Sequence, residues 1–81
     1  MVEVAIWGSL RVATEGRATV EIEAGNLREL LDGLAEAYPD LRPQLRRGVT
    51  VAIDGRNFND HWFEPIRPDS EVVLLPRIVG G

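Results

Sequence analysis

The sequence predicts a small α+β domain: a four- to five-stranded mixed sheet with one main helix packed on one face. Three observations carry this expectation. Val and Ile recur at every second position over 2–7, 19–23 and 49–53, the two-residue period of half-buried strands. Between the second and third of these runs the period becomes helical, with Leu27, Leu30, Leu31, Leu34 and Tyr38 on one side. A closing run, Glu71 to Leu75, is apolar on both faces and reads as a last strand lying parallel beside the first.

In chain order, Val2, Val4 and Ile6 alternate with Glu3, Ala5 and Trp7, and Gly8-Ser9 ends the strand. Leu10 to Arg17 has a turn composition through Thr14, Glu15 and Gly16. Val20 and Ile22 then alternate with Thr19, Glu21 and Glu23, so the first two strands form a hairpin. Asn26 is a good helix N-cap, and Glu29 three residues on suits a capping-box-like start. Arg28 and Asp32 are spaced to pair on the wet face. Gly33 costs the helix about 1 kcal/mol relative to Ala, which points to close packing there.

Pro39 ends the helix, and Asp40 to Arg47 reads as a tight turn or short helix with Leu41 and Leu45 tucked in. Val49, Val51 and Ile53 form the next strand, closed by the turn signal Asp54-Gly55. A short, irregular fourth strand is expected within Phe58 to Phe63. Pro65, Pro68 and Asp69-Ser70 mark a further turn, and Pro76 is expected to end regular pairing. The order β-β-α-β-(β)-β is that of the β-grasp, the ubiquitin-like architecture. The expected division is a β-grasp domain over 1–76 and a flexible C-terminal tail over 77–81.

Composition removes several classes of function. At 81 residues the chain makes one domain, with a core too small for a roomy internal active site. There is no cysteine, so disulfide, zinc-finger, iron–sulfur and thiol-nucleophile chemistry are excluded. All nine cationic residues are arginines, so no lysine can form a Schiff base or carry biotin or a lipoyl group. A net charge of −4 argues against nucleic acid as a partner. No apolar run approaches the ~20 residues of a membrane span. The start, Met1-Val2-Glu3-Val4, is unlike a signal peptide, and a cytoplasmic address is expected.

Side-chain constellations for catalysis are thin. Asp60-His61 is a faint acid/base candidate, and a solvated loop histidine explains the pair far better. Glu21 and Glu23 suit a wetted strand surface better than a carboxylate pair in catalysis, and Arg46-Arg47 a solvated turn. The terminal Gly80-Gly81 is different. Without side chains, an extended Gly-Gly can thread a narrow channel into another protein's active site. The pair closely follows a strongly apolar strand, and the chain has no other obvious covalent handle, with neither Cys nor Lys. A carboxylate with a pKa of about 3.5 is an anion and a poor electrophile until a leaving group is attached. An acyl-adenylate made with ATP supplies that group, and this chain has neither an ATP site nor a thiol of its own.

Over essentially the whole chain these residues resemble the MoaD/ThiS-like sulfur carriers, which include the small subunit of molybdopterin synthase and the thiamine-pathway carrier. Val4 to Arg11 is similar to the family's first strand and Leu-Arg loop, and Leu27 to Leu34 to its helix, with Tyr38-Pro39 at the usual end. Val51 to Gly55 resembles the family's "VxVNG" strand and turn. Asp69 to Val72 resembles "DGDEV", and Leu74-Leu75-Pro76 with Gly80-Gly81 the closing strand and tail.

The resemblance implies a carrier that is not an enzyme by itself. Gly81 would be the acyl carrier, adenylated and converted to a thiocarboxylate for sulfur transfer in cofactor biosynthesis, the molybdopterin type foremost. No cofactor would be bound; ATP and a sulfur donor would be used through partner enzymes. The implied partners are a ubiquitin-activating-type adenylyltransferase and a large synthase subunit or other sulfur acceptor. By strand alternation, with Val4, Ile6, Val72 and Leu74 facing the helix, Trp7, Val73 and Leu75 point to the outer sheet face; with Arg77, Ile78, Val79 and Gly80 they are the expected partner-binding residues. The other way to satisfy that apolar face is for the loop of Trp62 and Phe63 to cover it. Arg77 stands where molybdopterin-type members usually have Pro, Val79 where a small residue is common, and Val12 where an acidic residue is often seen. Ubiquitin also carries Arg at the place of Arg77, so the alternative function is a protein modifier conjugated through Gly81 to lysines of target proteins.

Overall fold

A computed structural model describes residues 1–59 and 61–77. Asp60 and the tail residues Ile78, Val79, Gly80 and Gly81 lie outside the described residues, and with them most of the expected tail. The elements are β1 (Val2–Ile6), α1 (Leu10–Ala13), β2 (Thr19–Ile22), α2 (Leu27–Ala37), a 3-10 turn (Pro39–Leu41), α3 (Arg42–Arg47), β3 (Val49–Ile53), β4 (Arg56–Phe58) and β5 (Val72–Pro76). The five strands form one mixed sheet in the order β2-β1-β5-β3-β4. β1 pairs antiparallel with β2 and parallel with β5; β3 pairs antiparallel with both β5 and β4. This is the expected β-grasp order, with the last strand at the centre.

One sheet face and one helix stripe make the core. Val2, Val4 and Ile6 of β1, Val72 and Leu74 of β5, and Val51 of β3 are buried against Leu27, Leu30 and Leu34 of α2. Burial of this kind stabilises by about 25 cal/mol per Å² of apolar surface removed from water. Leu41 is fully buried beneath the 3-10 turn and Leu45 packs partly against the core, as expected. Leu31 and Tyr38, on the edge of the helical stripe, are only partly buried.

The helix start follows its capping chemistry. Asn26 Oδ1 accepts from the Glu29 N–H at 2.8 Å, and the Glu29 carboxylate accepts from the Gly25 N–H at 2.7 Å. The next two orphan N–H groups are satisfied from a distance: Leu27 donates to Glu64 O and Arg28 to Trp62 O. Ile66, buried, has its N–H on Gly25 O. The 61–66 segment is thereby pinned to the N-terminus of α2. Gly33 sits where an added Cβ would lie 2.7 Å from Ile22 Cγ2, so helix and β2 approach as closely as the sequence suggested. Arg28 and Asp32 do pair, at 3.7 Å on the surface.

Three expectations are corrected. The link after β1 contains a single helical turn, α1, where only a turn was expected. It is closed by the buried Thr14, whose hydroxyl lies 3.2 Å from Arg11 O and 3.1 Å from Arg17 O, and by Arg11 Nε donating to Ile6 O. The fourth strand is Arg56–Phe58 rather than within Phe58 to Phe63. Asp54 and Gly55 both take positive φ, 51° and 83°, the tight hairpin turn that sets Arg56 opposite Ile53 at once. Pairing also runs one residue further than expected: Pro76 is the last residue of β5 and lies opposite Val49.

Candidate functional site

Strand alternation divides the sheet into a core face and an outer face. On β5, Val72 and Leu74 point to α2, while Val73 and Leu75 are partly exposed on the other side. Val73 has Ala5 of β1 on one side and Ala52 of β3 on the other, and Leu75 lies opposite Thr50. The floor around Val73 is therefore low, and Leu75 stands beside a polar neighbour whose hydroxyl donates to Asn59 Oδ1 at 2.8 Å. Trp7 continues the β1–β5 ladder one step past β1, its N–H donating to Leu74 O at 3.1 Å. Its side chain is 54 % exposed. An indole that open, beside half-exposed Val73 and Leu75, is the apolar outer face that the alternation predicted.

The loop that could have covered this face does not. Trp62 lies on the opposite side of the sheet, beside Leu31, Asp32, Ala35 and Leu45 of the helical layer, and Phe63 is exposed. The backbone bonds from α2 to Trp62 and Glu64 hold it there. The position of Trp62 was missed in the sequence; the only cue was the half-apolar rim of α2 at Leu31.

At the same end of the sheet the chain leaves β5 through Pro76 and Arg77. Two glycines of positive φ flank this exit. Gly8 (φ 65°) follows β1, and a Cβ there would lie 3.6 Å from the Pro76 ring. Gly48 (φ 105°) precedes β3, and a Cβ there would lie 2.9 Å from Arg77 Nη1. Trp7, Leu75 and Arg77 are thus brought to the end of the sheet where β5 leaves it, with Val73 two residues back from Leu75 on the same outer face. Ile78, Val79, Gly80 and Gly81, the rest of the expected site, lie outside the described residues.

The weaker candidates stay dispersed. His61 is exposed and sits edge-on to the Phe58 ring at 5.5 Å, and its neighbour Asp60 lies outside the described residues. Glu21 is exposed on β2 and Glu23 lies past its end. Arg46 and Arg47 end α3 on the surface. Among the described residues no group of three or more His, Asp or Glu side chains is placed to hold a metal ion. No helix among them is long and apolar enough to cross a membrane.

Comparisons with known proteins agree on the architecture. The ThiS family matches the chain over residues 4–81. No curated protein matches its sequence. Among solved structures, CysO in the BexX/CysO complex of Amycolatopsis orientalis is 21 % identical with a TM-score of 0.79, and each chain covers 100 % of the other. The small archaeal modifier protein 1 (SAMP1) of Methanosarcina acetivorans is 20 % identical with a TM-score of 0.80, over 99 % of this chain and 95 % of that one. CysO of Mycobacterium tuberculosis is 20 % identical with a TM-score of 0.78, over 96 % of this chain and 100 % of that one. At such identities these likenesses carry the β-grasp fold.

Proposed function

The chain belongs to the ThiS family, and from that premise we propose that it is a cytoplasmic sulfur carrier whose reactive group is the Gly81 carboxylate. The observation that carries the reading is that the family match runs through residue 81 and so includes Gly80-Gly81. A carboxylate oxygen attacks the α-phosphorus of ATP in a partner's active site, and pyrophosphate leaves. Hydrosulfide supplied by a sulfur donor then attacks the acyl carbon, and the C–S bond forms as the C–O bond to AMP breaks and AMP leaves. The resulting thiocarboxylate delivers sulfur to a cofactor precursor, the molybdopterin type being the destination the resemblance favours. With no cysteine the chain supplies no thiol; in this reading ATP and the sulfur donor act through partners, an adenylyltransferase of the ubiquitin-activating type and an acceptor subunit.

The body's part is recognition and aim. Trp7, Val73 and Leu75 form the surface on which a partner docks, and Arg77 is the root from which Ile78, Val79 and Gly80 lead Gly81 into the partner's channel. A glycine pair passes a constriction that any Cβ would block. That CysO of Amycolatopsis orientalis was solved in a complex with BexX supports a carrier that works docked to a partner protein.

The test is intact mass after incubation with the cognate activating enzyme, ATP and a sulfur source. The expected product is heavier by the replacement of one oxygen with sulfur, and the change is lost when Gly81 is deleted. A mature protein that continues beyond Gly81, or an unchanged mass, overturns the reading.

A second reading has its own support. SAMP1, a small archaeal modifier protein, matches this fold as well as CysO does, and Arg77 stands where ubiquitin has Arg. In that case Gly81 forms isopeptide bonds with lysines of other proteins, and the absence of lysine here prevents Lys-linked chains of the protein on itself. A tagged form expressed in the host then shows high-mass adducts that vanish without Gly80-Gly81.

A further inference from the structure

We propose that Gly48 is a positioning residue for the tail: it is the side-chain-free seat on which Arg77 lies, and it fixes the link between β5 and the residues that follow. The proposal rests on the reading of Gly81 as the acyl carrier. Three observations converge on it. The β3–β5 register sets Val49 opposite Pro76, so one step further Gly48 faces Arg77. An ideal Cβ on Gly48 would lie 2.9 Å from Arg77 Nη1, 3.1 Å from Cδ and 3.5 Å from Cζ. Those atoms run along the side chain, so Arg77 lies across the glycine instead of touching it with its tip alone. Finally, Gly48 has φ 105° and ψ 138°, close to a backbone region that essentially only glycine occupies.

Gly48 also has an ordinary structural task, and the two must be separated. Its N–H donates to Gln44 O and Leu45 O, closing the C-terminus of α3. A helix-ending glycine usually sits in the left-handed helical region, where Asn is a common substitute. The observed ψ is far from that region, and a Cβ there meets Arg77. On the other side of the exit Gly8 leaves the Pro76 ring in ordinary contact range. The last two described residues therefore leave the sheet between two glycine backbones, with the Arg77 side chain lying along the Gly48 side. An arginine held at the root has fewer conformations to lose when a partner closes on the tail, which is how preorganisation raises affinity.

The experiment is a double-mutant cycle on ATP-dependent activation of the full chain by its adenylyltransferase, read as pyrophosphate exchange. Gly48→Ala and Arg77→Ala are each expected to lower kcat/KM about tenfold, mainly through KM, and the double variant is expected to be no worse than either alone. If Gly48→Ala costs the same factor in the Arg77→Ala background, the effects are independent and the seat is overturned. A readout without any partner covers the case in which the variant does not fold. In the wild-type chain, NMR should show cross-relaxation between the Gly48 Hα and Arg77 Hδ protons, and its absence overturns the seat. Wild-type protein that shows this signal but supports no pyrophosphate exchange refutes the carrier reading and leaves the seat standing.

Discussion

Replacing Gly33 by alanine sets two physical effects against each other, and the structure decides the sign. By helix propensity alone the change stabilises, by about 1 kcal/mol, because glycine has more backbone freedom to lose. The new Cβ, however, would lie 2.7 Å from Ile22 Cγ2, while carbon atoms rest at about 3.5–4.0 Å. Helix and strand must then separate by roughly 1 Å, or Ile22 must leave its rotamer. Ile22 is buried and β-branched, so its χ1 has little freedom. Overpacking of this kind costs about 1–3 kcal/mol. The net expectation is a loss of about 1 kcal/mol, or roughly 4–8 °C in Tm for a domain of this size. Thermal melts followed by circular dichroism measure it. The control is Ile22→Ala, which is itself destabilising but removes Cγ2; in that background Gly33→Ala should stabilise. A Tm that rises by several degrees for Gly33→Ala alone would refute the close approach of α2 to β2.

Other consequences are equally direct. Gly55→Ala tests backbone conformation without packing, since nothing lies within 4 Å of its Cβ position while φ is 83°; the expected loss is about 1–2 kcal/mol in urea unfolding. Asn26→Ala removes the acceptor for the Glu29 N–H and should cost about 1 kcal/mol in the same assay, with Asn26→Ser close to neutral. Trp7→Ala should leave Tm nearly unchanged, because the indole is 54 % exposed, and yet weaken binding of the cognate activating or acceptor protein by at least about tenfold in calorimetry, as for an aromatic anchor. Unchanged affinity would remove the outer face from the docking surface.

How much was legible before the structure depended on the range of the interactions involved. The three alternating strands, the capped helix and the paired Arg28 and Asp32 follow from periods and spacings within a few residues of one another. The outer positions of Trp7, Val73 and Leu75 follow from strand parity once the first and last strands are set side by side. The terminal Gly80-Gly81 is legible as chemistry, since the reactivity proposed for it needs no neighbour within the chain.

What required the tertiary structure is every contact made across chain distance. The start of β4 at Arg56 is the exception, a local feature that was misread: Asp54 and Gly55 both take positive φ, the two-residue hairpin turn that pairs Ile53 with Arg56 at once. The seat of Trp62 on the helical layer depends on carbonyls of the 61–64 segment answering the orphan N–H groups of α2, a bond that no local pattern announces. The meeting of Gly48 with Arg77 joins the end of α3 to the end of β5, and only a two-strand register brings them together. Periodicity reports which face a residue presents; which residue it then meets is set by how the elements stack.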